Sequence, residues 1–471
     1  MTSPINIDAL LARDLDVLWH PTSQMRDYID FPPLPVTSAE GCLLTLADGR
    51  QIYDAISSWW CKSLGHRHPR LTAALKDQAD QFEHVILANT TNEPAVHLCE
   101  RLLAAANGLP PSAWGAGAAV GKRRGHFGRV FFADNGSTAV EIALKMAVQA
   151  QSQRGNPNRT HFAALKHGYH GETIATLAVG DMGIFGDPFR KLMFPATMID
   201  AIPYRSGPSD PQWLDASDAW PAIEAQLAPI AGQLAAIIYE PVLQGAGGMK
   251  LYSPDLLGRF RGWADAHSVY LIADEIAAGM GRLGAMLASH LAPNLAALPD
   301  FAVVSKGLTG GYLPFAAVLT TDAVYDIFHA DYVEMRGFLH SNTYTGNALA
   351  IAVAHAVLDV FAEEDVLGQV ARRGPILHAG MRELTVGRPY LRNSRGCGMM
   401  AAVDICQSDG SPLDWKQRSG YRVYQEAVRR GALLRPVGDT MYILPPLNTS
   451  ESDIHAMIGI LADSLAAVLG S

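Results

Sequence analysis

Short apolar runs alternate with helical periodicity through the middle of the chain. The runs are rich in Val, Ile and Phe and lack half-polar alternation, which is typical of strands buried on both faces of a parallel sheet. With helices between them, the predicted fold class is α/β, with a mostly parallel central sheet flanked by helices. The predicted strands are Val130–Ala133, Ala235–Glu240, Val269–Ala273, Phe301–Val304 and Phe315–Leu319.

The pattern changes at both ends of the chain. Residues 42–55 alternate apolar and polar positions around an Asp-Gly pair, which predicts a β-hairpin. A helix beginning near Asn347 leads out of the central region, and the last helix carries one apolar face along 454–468. We predict three parts: an N-terminal segment 1–69 that packs with the small domain, a large α/β domain 70–355 and a small α/β domain 356–471.

Composition narrows the partners and the compartment. The 471 residues are 49% hydrophobic and 18% charged, so a large core can form. A net charge of -9 argues against nucleic acid as the main partner. Because no long run is free of polar interruption, we expect no membrane span. An odd count of five cysteines without a C-x-x-C pair, and an N-terminus without an apolar signal core, predict a cytoplasmic protein.

Polar residues follow the first predicted strand, at the edge of the sheet where open α/β folds bind ligands. Residues 134–138 form a glycine turn that begins a helix, and Thr138 and Glu141 have capping-box spacing. The free N–H groups of such a helix start, together with the Ser137 hydroxyl, suit a phosphate. An ordinary capped helix is the alternative for this pattern.

A lysine and an aspartate follow two other predicted strands. Lys306 comes almost directly after Phe301–Val304, where desolvation lowers the amine pKa and makes it a nucleophile toward an aldehyde. Asp274 follows an earlier strand, where a carboxylate can hold the proton of a buried ring nitrogen. The spacing of 32 residues fits one strand–helix–strand crossover, so both side chains can face one pocket. A surface lysine and a structural ion pair are the alternatives.

An aromatic residue completes this set. Tyr169 lies between glycines in 167–171, where its ring can lie flat on a planar cofactor. Neither His167 nor His170 has a carboxylate at metal-ligand spacing, so we expect no metal. The glycine patterns of phosphate loops and of dinucleotide-binding folds are absent, which argues against a nicotinamide-dependent dehydrogenase. The helix start at 134–138, which we call the phosphate cup, the aromatic Tyr169, the acid Asp274 and the amine of Lys306 are together the groups that a site for pyridoxal 5'-phosphate requires.

These segments resemble the class III aminotransferases, pyridoxal-phosphate enzymes of fold type I. Within that class the chain is most similar to the enzymes of biotin biosynthesis that aminate 8-amino-7-oxononanoate. The resemblance covers nearly the whole chain and is most specific at Ser-Ser-Trp-Trp, residues 57–60, which generic class III enzymes lack. The other matching segments are Trp19–Pro21, Ala133–Ser137, Gly168–Gly171, Gln244–Met249, Asp274–Ile276, Ser305–Gly307 and Leu434–Pro436.

The resemblance implies a homodimer whose active sites mix residues of both chains. Lys306 would carry the cofactor as a Schiff base and shuttle the substrate proton, while Asp274 would pair with the pyridine nitrogen. Gly136 and Ser137 would hold the phosphate, and Asn342 and Thr343 would complete its site from the other subunit, with Ser341 beside the substrate. The ring would lie between the side chains of Tyr169 and Ile276.

The resemblance also implies the substrates. Trp59 and Trp60 would form an apolar wall along an aliphatic chain whose carboxylate binds Arg435. Without the resemblance, two adjacent tryptophans indicate ordinary core packing. The implied ping-pong reaction takes an amino group from S-adenosylmethionine, or from lysine as in some relatives, and converts 8-amino-7-oxononanoate to 7,8-diaminononanoate. The alternatives are an ω-amino-acid:pyruvate or other class III transaminase, and a non-catalytic relative, which would be expected to have lost Lys306 or Asp274.

Three features depart from the family pattern. Thr22 stands where better-known members have a tyrosine that helps recognise substrate. The segment 340–344 lacks the usual Gly-Pro before its threonine. The Gly-rich insertion 111–126 matches no family role. The first two leave the cofactor chemistry intact and leave the identity of the amino donor open.

Overall fold

The computed structural model describes residues 5–115 and 125–470, so most of the Gly-rich insertion lies outside the described residues. The α-helices in the described part are α1 (Ile7–Val17), α2 (Ser57–Trp60), α3 (Pro69–Ala79), α4 (Glu93–Ala106), α5 (Gly136–Gln153), α6 (Ile174–Ala178), α7 (Trp220–Leu227), α8 (Asp255–His267), α9 (Asp322–Phe328), α10 (Ala348–Glu363), α11 (Val366–Glu383), α12 (Ser419–Arg430) and α13 (Glu451–Leu469).

Within residues 5–115 and 125–470 the strands form four sheets. They are β1 (Val36–Glu40), β2 (Leu43–Leu46), β3 (Gln51–Asp54), β4 (Arg129–Ala133), β5 (His161–Leu165), β6 (Thr197–Ile199), β7 (Tyr204–Arg205), β8 (Leu234–Tyr239), β9 (Leu243–Gln244), β10 (Lys250–Tyr252), β11 (Tyr270–Asp274), β12 (Phe301–Val304), β13 (Ala316–Thr320), β14 (Leu391–Cys397), β15 (Met400–Ile405), β16 (Ala432–Leu433) and β17 (Thr440–Ile443).

The central sheet has the order β4-β13-β12-β11-β8-β5-β6. Strands β12, β11, β8, β5 and β6 pair in parallel, and β13 runs antiparallel to both of its neighbours, β12 and β4. The predicted mostly parallel α/β sheet is therefore confirmed, with its five predicted strands in place. Strands β5 and β6 were not predicted; β6 has only three residues, and β5 begins with the polar His161.

Burial explains why the central strands are continuous apolar runs in the sequence. Every residue of β8, β11, β12 and β13 is buried. Helix α5 packs on β13, β12 and β8, and α8 packs on β11. With both faces covered by helices, the open edge at the carboxyl ends of the parallel strands is the place for polar chemistry.

The N-terminal hairpin and the C-terminal part of the chain meet in a second sheet. Strands β2 and β3 pair antiparallel across a turn in which Gly49 has φ of 87°, so the predicted hairpin is confirmed. Strand β16 joins them in parallel through Ala432 and Tyr53. This pairing supports packing of the N-terminal segment against the C-terminal part. The division into three domains stays a prediction.

One helix in the described part, α13, is long and apolar enough to cross a membrane by length and composition alone. A core helix of a globular domain meets the same criterion. Here Ile454, Met457, Leu461 and Leu465 are buried, and α13 packs against α11 and α12. The apolar face predicted for this helix is therefore a packing face.

Candidate active site

The predicted acid and lysine meet at the ends of neighbouring strands. Asp274 is the last residue of β11 and lies opposite Val303 of β12. Lys306 follows β12 and begins a short 3-10 helix that ends at Thr309. Both side chains line a cavity of about 370 Å³. Its wall also contains Trp60, Gly136, Ser137, Tyr169 and Ile276.

Of the two adjacent acids, Asp274 and Glu275, Asp274 is the one that lines this cavity. Its Oδ2 accepts a hydrogen bond from His170 Nδ1 at 2.8 Å, and its Oδ1 accepts one from the Ile276 N–H at 3.1 Å. Glu275 is buried elsewhere, where its carboxylate accepts from the Ser289 N–H and hydroxyl. Burial raises the pKa of Glu275 to about 7. Of these two acids, Asp274 is therefore the one placed to contact a ring nitrogen in the cavity.

Lys306 has the environment of a nucleophilic amine. Burial lowers its pKa, and the carboxylates of Asp274 and Glu240 oppose part of that shift. Its Nζ lies 5.0 Å from the centroid of the Trp60 ring. A desolvated amine with a lowered pKa keeps a larger neutral fraction, which is the form that attacks an aldehyde.

The residues of the predicted anion cup lie at the start of α5. The Asn135 side chain accepts from the Thr138 N–H at 3.1 Å, while Thr138 Oγ1 accepts from the Asn135 N–H at 3.2 Å. The predicted capping box of Thr138 with Glu141 is wrong, because Asn135 is the cap and Glu141 instead accepts from Thr173. This cap leaves the N–H groups of Gly136 and Ser137 without intrahelical partners, at the positive end of the helix dipole.

The glycines around the phosphate cup are closely packed and leave no room for larger side chains. A Cβ on Gly136 would lie 2.7 Å from Ile276 Cδ1, so the Ile276 side chain reaches this turn. A Cβ on Gly171 would overlap the Ser137 hydroxyl. The start of α5, the Asp274 carboxylate, the Lys306 amine and the Tyr169 ring thus converge on one cavity. This donor set fits pyridoxal phosphate.

Two groups in the site were missed by sequence reasoning. Glu240 follows β8, and its carboxylate accepts from the Tyr169 N–H at 2.9 Å and the Gly245 N–H at 3.0 Å. Burial raises the pKa of Glu240 to about 7. The available signal was the same as for Asp274, an acid at the end of a buried strand. His170 was considered only as a metal ligand, and in the structure it orients Asp274.

Comparison with known proteins agrees with this geometry. The family model described as aminotransferase class-III matches residues 25–465.

The chain is a class III aminotransferase.

Its relatives include two proteins named adenosylmethionine-8-amino-7-oxononanoate aminotransferase. The one from Synechococcus elongatus is 38% identical, over 95% of this chain and 99% of its own. The one from Geobacter sulfurreducens is 35% identical, over 98% and 99%. The solved structure of the enzyme of the same name from Methanocaldococcus jannaschii has a TM-score of 0.88 at 29% identity, covering 98% of this chain and 100% of that one.

An amine transaminase from an uncultivated Pseudomonas species, solved with pyridoxal phosphate bound, has a TM-score of 0.85 at 31% identity, over 96% and 99% of the two chains. The predicted fold type I and the predicted cofactor are both confirmed. The aminotransferase uses pyridoxal 5'-phosphate.

The Ser-Ser-Trp-Trp segment of this aminotransferase forms an unusual left-handed turn. The φ angles of Ser57, Ser58, Trp59 and Trp60 are 50°, 44°, 70° and 73°. A left-handed conformation costs a residue with a side chain roughly 1–2 kcal/mol, so four in succession need strong external support. Such a turn is retained where the position of its side chains matters.

The turn sends its two tryptophans into different cavities. Trp60 is buried in the cofactor cavity, where its Nε1 donates to the Tyr442 hydroxyl at 3.0 Å. Trp59 lines a second cavity of about 670 Å³. There the Arg435 guanidinium lies 4.5 Å from the Trp59 ring centroid and donates to the Thr22 carbonyl at 2.6 Å. The predicted substrate residues are thus divided between two neighbouring cavities.

The predicted loop residues lie apart from both cavities within this chain. Ser341 and Thr343 are exposed, and the Asn342 N–H donates to Thr345 Oγ1 at 3.1 Å. The loop nevertheless runs beside the start of α5, because the Tyr344 N–H bonds the Asp134 carboxylate. Within one chain, the structure does not bring these three residues to Lys306.

Replacing Gly171 with alanine is expected to weaken cofactor binding. Gly171 has φ of 124°, and the new methyl group would displace the Ser137 hydroxyl from the cup. Loss of one hydrogen bond to a charged group corresponds to about ten- to a hundredfold in affinity. Gly155→Ala is the control, because Gly155 also has a positive φ of 86° but nothing lies within 4 Å of its Cβ position. Titration of the two apo-enzymes with pyridoxal phosphate measures the effect, and equal affinities would contradict it.

Proposed function

We propose that this aminotransferase transfers an amino group to 8-amino-7-oxononanoate, yielding 7,8-diaminononanoate for biotin biosynthesis. Arg435 carries the proposal. Among the described residues it has no carboxylate partner, yet it lies against the Trp59 ring beside the cofactor cavity. A cation next to an apolar wall fits an aliphatic chain that ends in a carboxylate. The names of the relatives support the same acceptor.

The cofactor-site residues have distinct proposed roles. Bound pyridoxal phosphate acts as an electron sink that lets the substrate carbon lose a proton. Lys306 binds the cofactor covalently through Nζ, and the same atom takes up and returns that proton. The Asp274 carboxylate keeps the ring nitrogen protonated, since a proton there is stabilised by the adjacent negative charge.

Binding and orientation fall to the surrounding groups. Gly136 and Ser137 hold the phosphate with backbone N–H groups and a hydroxyl at the start of α5. Tyr169, whose backbone N–H donates to Glu240, would stack on one face of the ring. Ile276, which lines the same cavity beside Gly136, would pack near the other face.

The second cavity supports S-adenosylmethionine as the amino donor. Its walls are rich in aromatic side chains, which stack on an adenine ring and attract a sulfonium cation. Of the two acids in its lining, Asp27 pairs with Arg418 at 2.6 Å, and Asp439 accepts a hydrogen bond from the Gly420 N–H. The aromatic residues are Tyr28, Phe31, Trp59, Trp415, Tyr421 and Tyr424.

We also propose that the enzyme is a homodimer with shared active sites. Large apolar side chains near the predicted partner-contributed loop are almost fully exposed in one chain, with Tyr332 at 88% and Leu339 at 87%. Such patches are typical of interfaces. Ser341, Asn342 and Thr343 would then reach the phosphate of the partner subunit. Sedimentation of the holoenzyme is expected to give twice the mass of one chain, and a fully active monomer would contradict this.

The compartment proposed is the cytoplasm. All five cysteines are free thiols, and none of them forms a disulfide. Free thiols persist in a reducing compartment, where biosynthetic enzymes of this type would encounter their substrates.

The test of the donor is a half-reaction followed by the visible absorption of the bound cofactor. The holoenzyme is mixed separately with S-adenosylmethionine, lysine and β-alanine. Loss of the band with S-adenosylmethionine alone is expected. Loss with lysine would retain the acceptor and replace the donor. Loss with β-alanine alone would overturn the proposal in favour of an ω-amino-acid transaminase.

A further inference from the structure

A buried hydrogen-bond network lies beneath the left-handed turn at 57–60. Asp54, the last residue of β3, is fully buried. Its Oδ1 accepts from the Ser58 N–H at 2.9 Å, and its Oδ2 accepts from the Ser58 hydroxyl at 2.7 Å and from His66 Nε2 at 2.8 Å. One carboxylate thus binds both the backbone and the side chain of the second residue of the turn.

Charge strengthens this attachment. Burial by itself raises the pKa of Asp54, but hydrogen bonds from His66 and Ser58 outweigh it and hold the pKa below its ordinary value. Asp54 is therefore ionised, and hydrogen bonds to a charged acceptor are stronger than those to a neutral one.

The turn is also held from its other side. The Ser57 hydroxyl donates to the Leu444 carbonyl at 2.8 Å, and Trp60 Nε1 donates to the Tyr442 hydroxyl. Strand β3 and the end of β17 thus hold the turn between them. These contacts offset the strain of four left-handed residues.

The handedness of the turn decides where the two rings point. Successive side chains of a helical turn lie about 100° apart, so adjacent residues face different directions. Reversing the hand would move both rings. Space beside Trp60 is also limited, because a Cβ on Gly245 would lie 3.0 Å from its ring. Trp60 therefore stays over Lys306, and Trp59 stays over Arg435, only while the turn keeps its hand.

We infer that Asp54, His66 and Ser58 are positioning residues that hold the 57–60 turn left-handed, and that they thereby set the enzyme's affinity for a long-chain keto-acid acceptor. Asp54 lines neither cavity and acts through the turn. The acceptor part of this inference rests on the proposed function. The part that concerns the turn itself does not.

The test compares Asp54→Asn with Asp48→Asn. Asp48 is an exposed acid of the nearby hairpin that pairs only with Arg50 in the described structure. In apo-enzyme, hydrogen–deuterium exchange of the 54–66 segment is expected to accelerate in Asp54→Asn and to stay unchanged in Asp48→Asn. In holoenzyme, the KM for 8-amino-7-oxononanoate is expected to rise about tenfold or more, the size of one lost hydrogen bond to a charge, and by a larger factor than kcat falls.

A second variant separates positioning from simple loss of stability. Glycine adopts a left-handed conformation without strain, so adding Ser58→Gly to Asp54→Asn is expected to restore part of the lost acceptor affinity. Unchanged exchange and an unchanged KM in Asp54→Asn would overturn the inference. A fall in kcat as large as the rise in KM, without rescue by Ser58→Gly, would also overturn it. If wild-type enzyme fails to aminate 8-amino-7-oxononanoate, the proposed function fails, while the exchange measurement still decides whether Asp54 holds the turn.

Discussion

Replacing Lys306 with alanine is expected to abolish transamination while leaving the fold intact. The side chain is the cavity's amine, and its pKa is lowered by burial. Its removal takes away both the covalent attachment of the cofactor and the group that moves the substrate proton. General acid–base catalysis alone is worth up to about 10⁴-fold, so a loss of at least that size is expected.

Absorbance and steady-state turnover measure this loss together. The variant loaded with pyridoxal phosphate should lack the absorption band of the lysine-bound cofactor, and its circular dichroism should match that of wild type. Lys76→Ala is the control, because Lys76 is an exposed residue of α3. Wild-type turnover by Lys306→Ala would disprove the role of this lysine.

Replacing Asp274 with asparagine is expected to lower kcat by about 10²–10⁴-fold, the range for breaking a buried charge pair. Asparagine keeps the shape of the side chain but removes the charge that stabilises a protonated ring nitrogen. The electron sink would then weaken, although the cofactor could still bind. His170, which donates to Asp274, would lose its charged acceptor.

The adjacent acid provides the matched control. Glu275 is equally buried, but its carboxylate accepts hydrogen bonds from Ala288 and Ser289 rather than lining the cofactor cavity. Glu275→Gln is expected to lower the melting temperature and to leave kcat within a few-fold of wild type. Equal kcat losses in the two variants would contradict the assignment of Asp274 to the ring nitrogen.

Much of the fold could be predicted because the central strands are buried on both faces. Burial leaves an unbroken apolar run in the sequence, as in β11 and β12, and the polar residue after each run marks the edge of the sheet. Asp274 and Lys306 were found in this way, and the parallel pairing of their strands explains why they meet. Glu240 carries the same signal after β8 and was overlooked.

The form of the Ser-Ser-Trp-Trp segment could not be predicted from its residues. None of the four favours a left-handed conformation, so local preference points the wrong way. The turn depends on Asp54 and His66, which are close to it in the chain, and on Tyr442, which is 382 residues from Trp60. Contacts between distant segments leave no periodic signal. For the same reason, the sequence did not separate the Trp59 cavity from that of Trp60.

The capping box predicted at the start of α5 was placed one helical turn too far along the chain. Thr138 and Glu141 have capping-box spacing, yet Asn135 begins the helix and pairs with Thr138 instead. Both are acceptable patterns in sequence, and the end of β4 at Ala133 decides between them. Either start places Ser137 near the beginning of the helix, so the prediction that its hydroxyl helps to hold a phosphate does not depend on that choice.

The most direct test of the proposed function is the choice of acceptor by the aminated holoenzyme. Single-turnover rates are measured with 8-amino-7-oxononanoate and with pyruvate at equal concentrations. We expect a preference of about a hundredfold or more for 8-amino-7-oxononanoate, since Arg435 and the Trp59 wall would bind its long carboxylate-terminated chain and leave pyruvate without those contacts. An equal or faster reaction with pyruvate would contradict the proposal and identify a general ω-amino-acid transaminase.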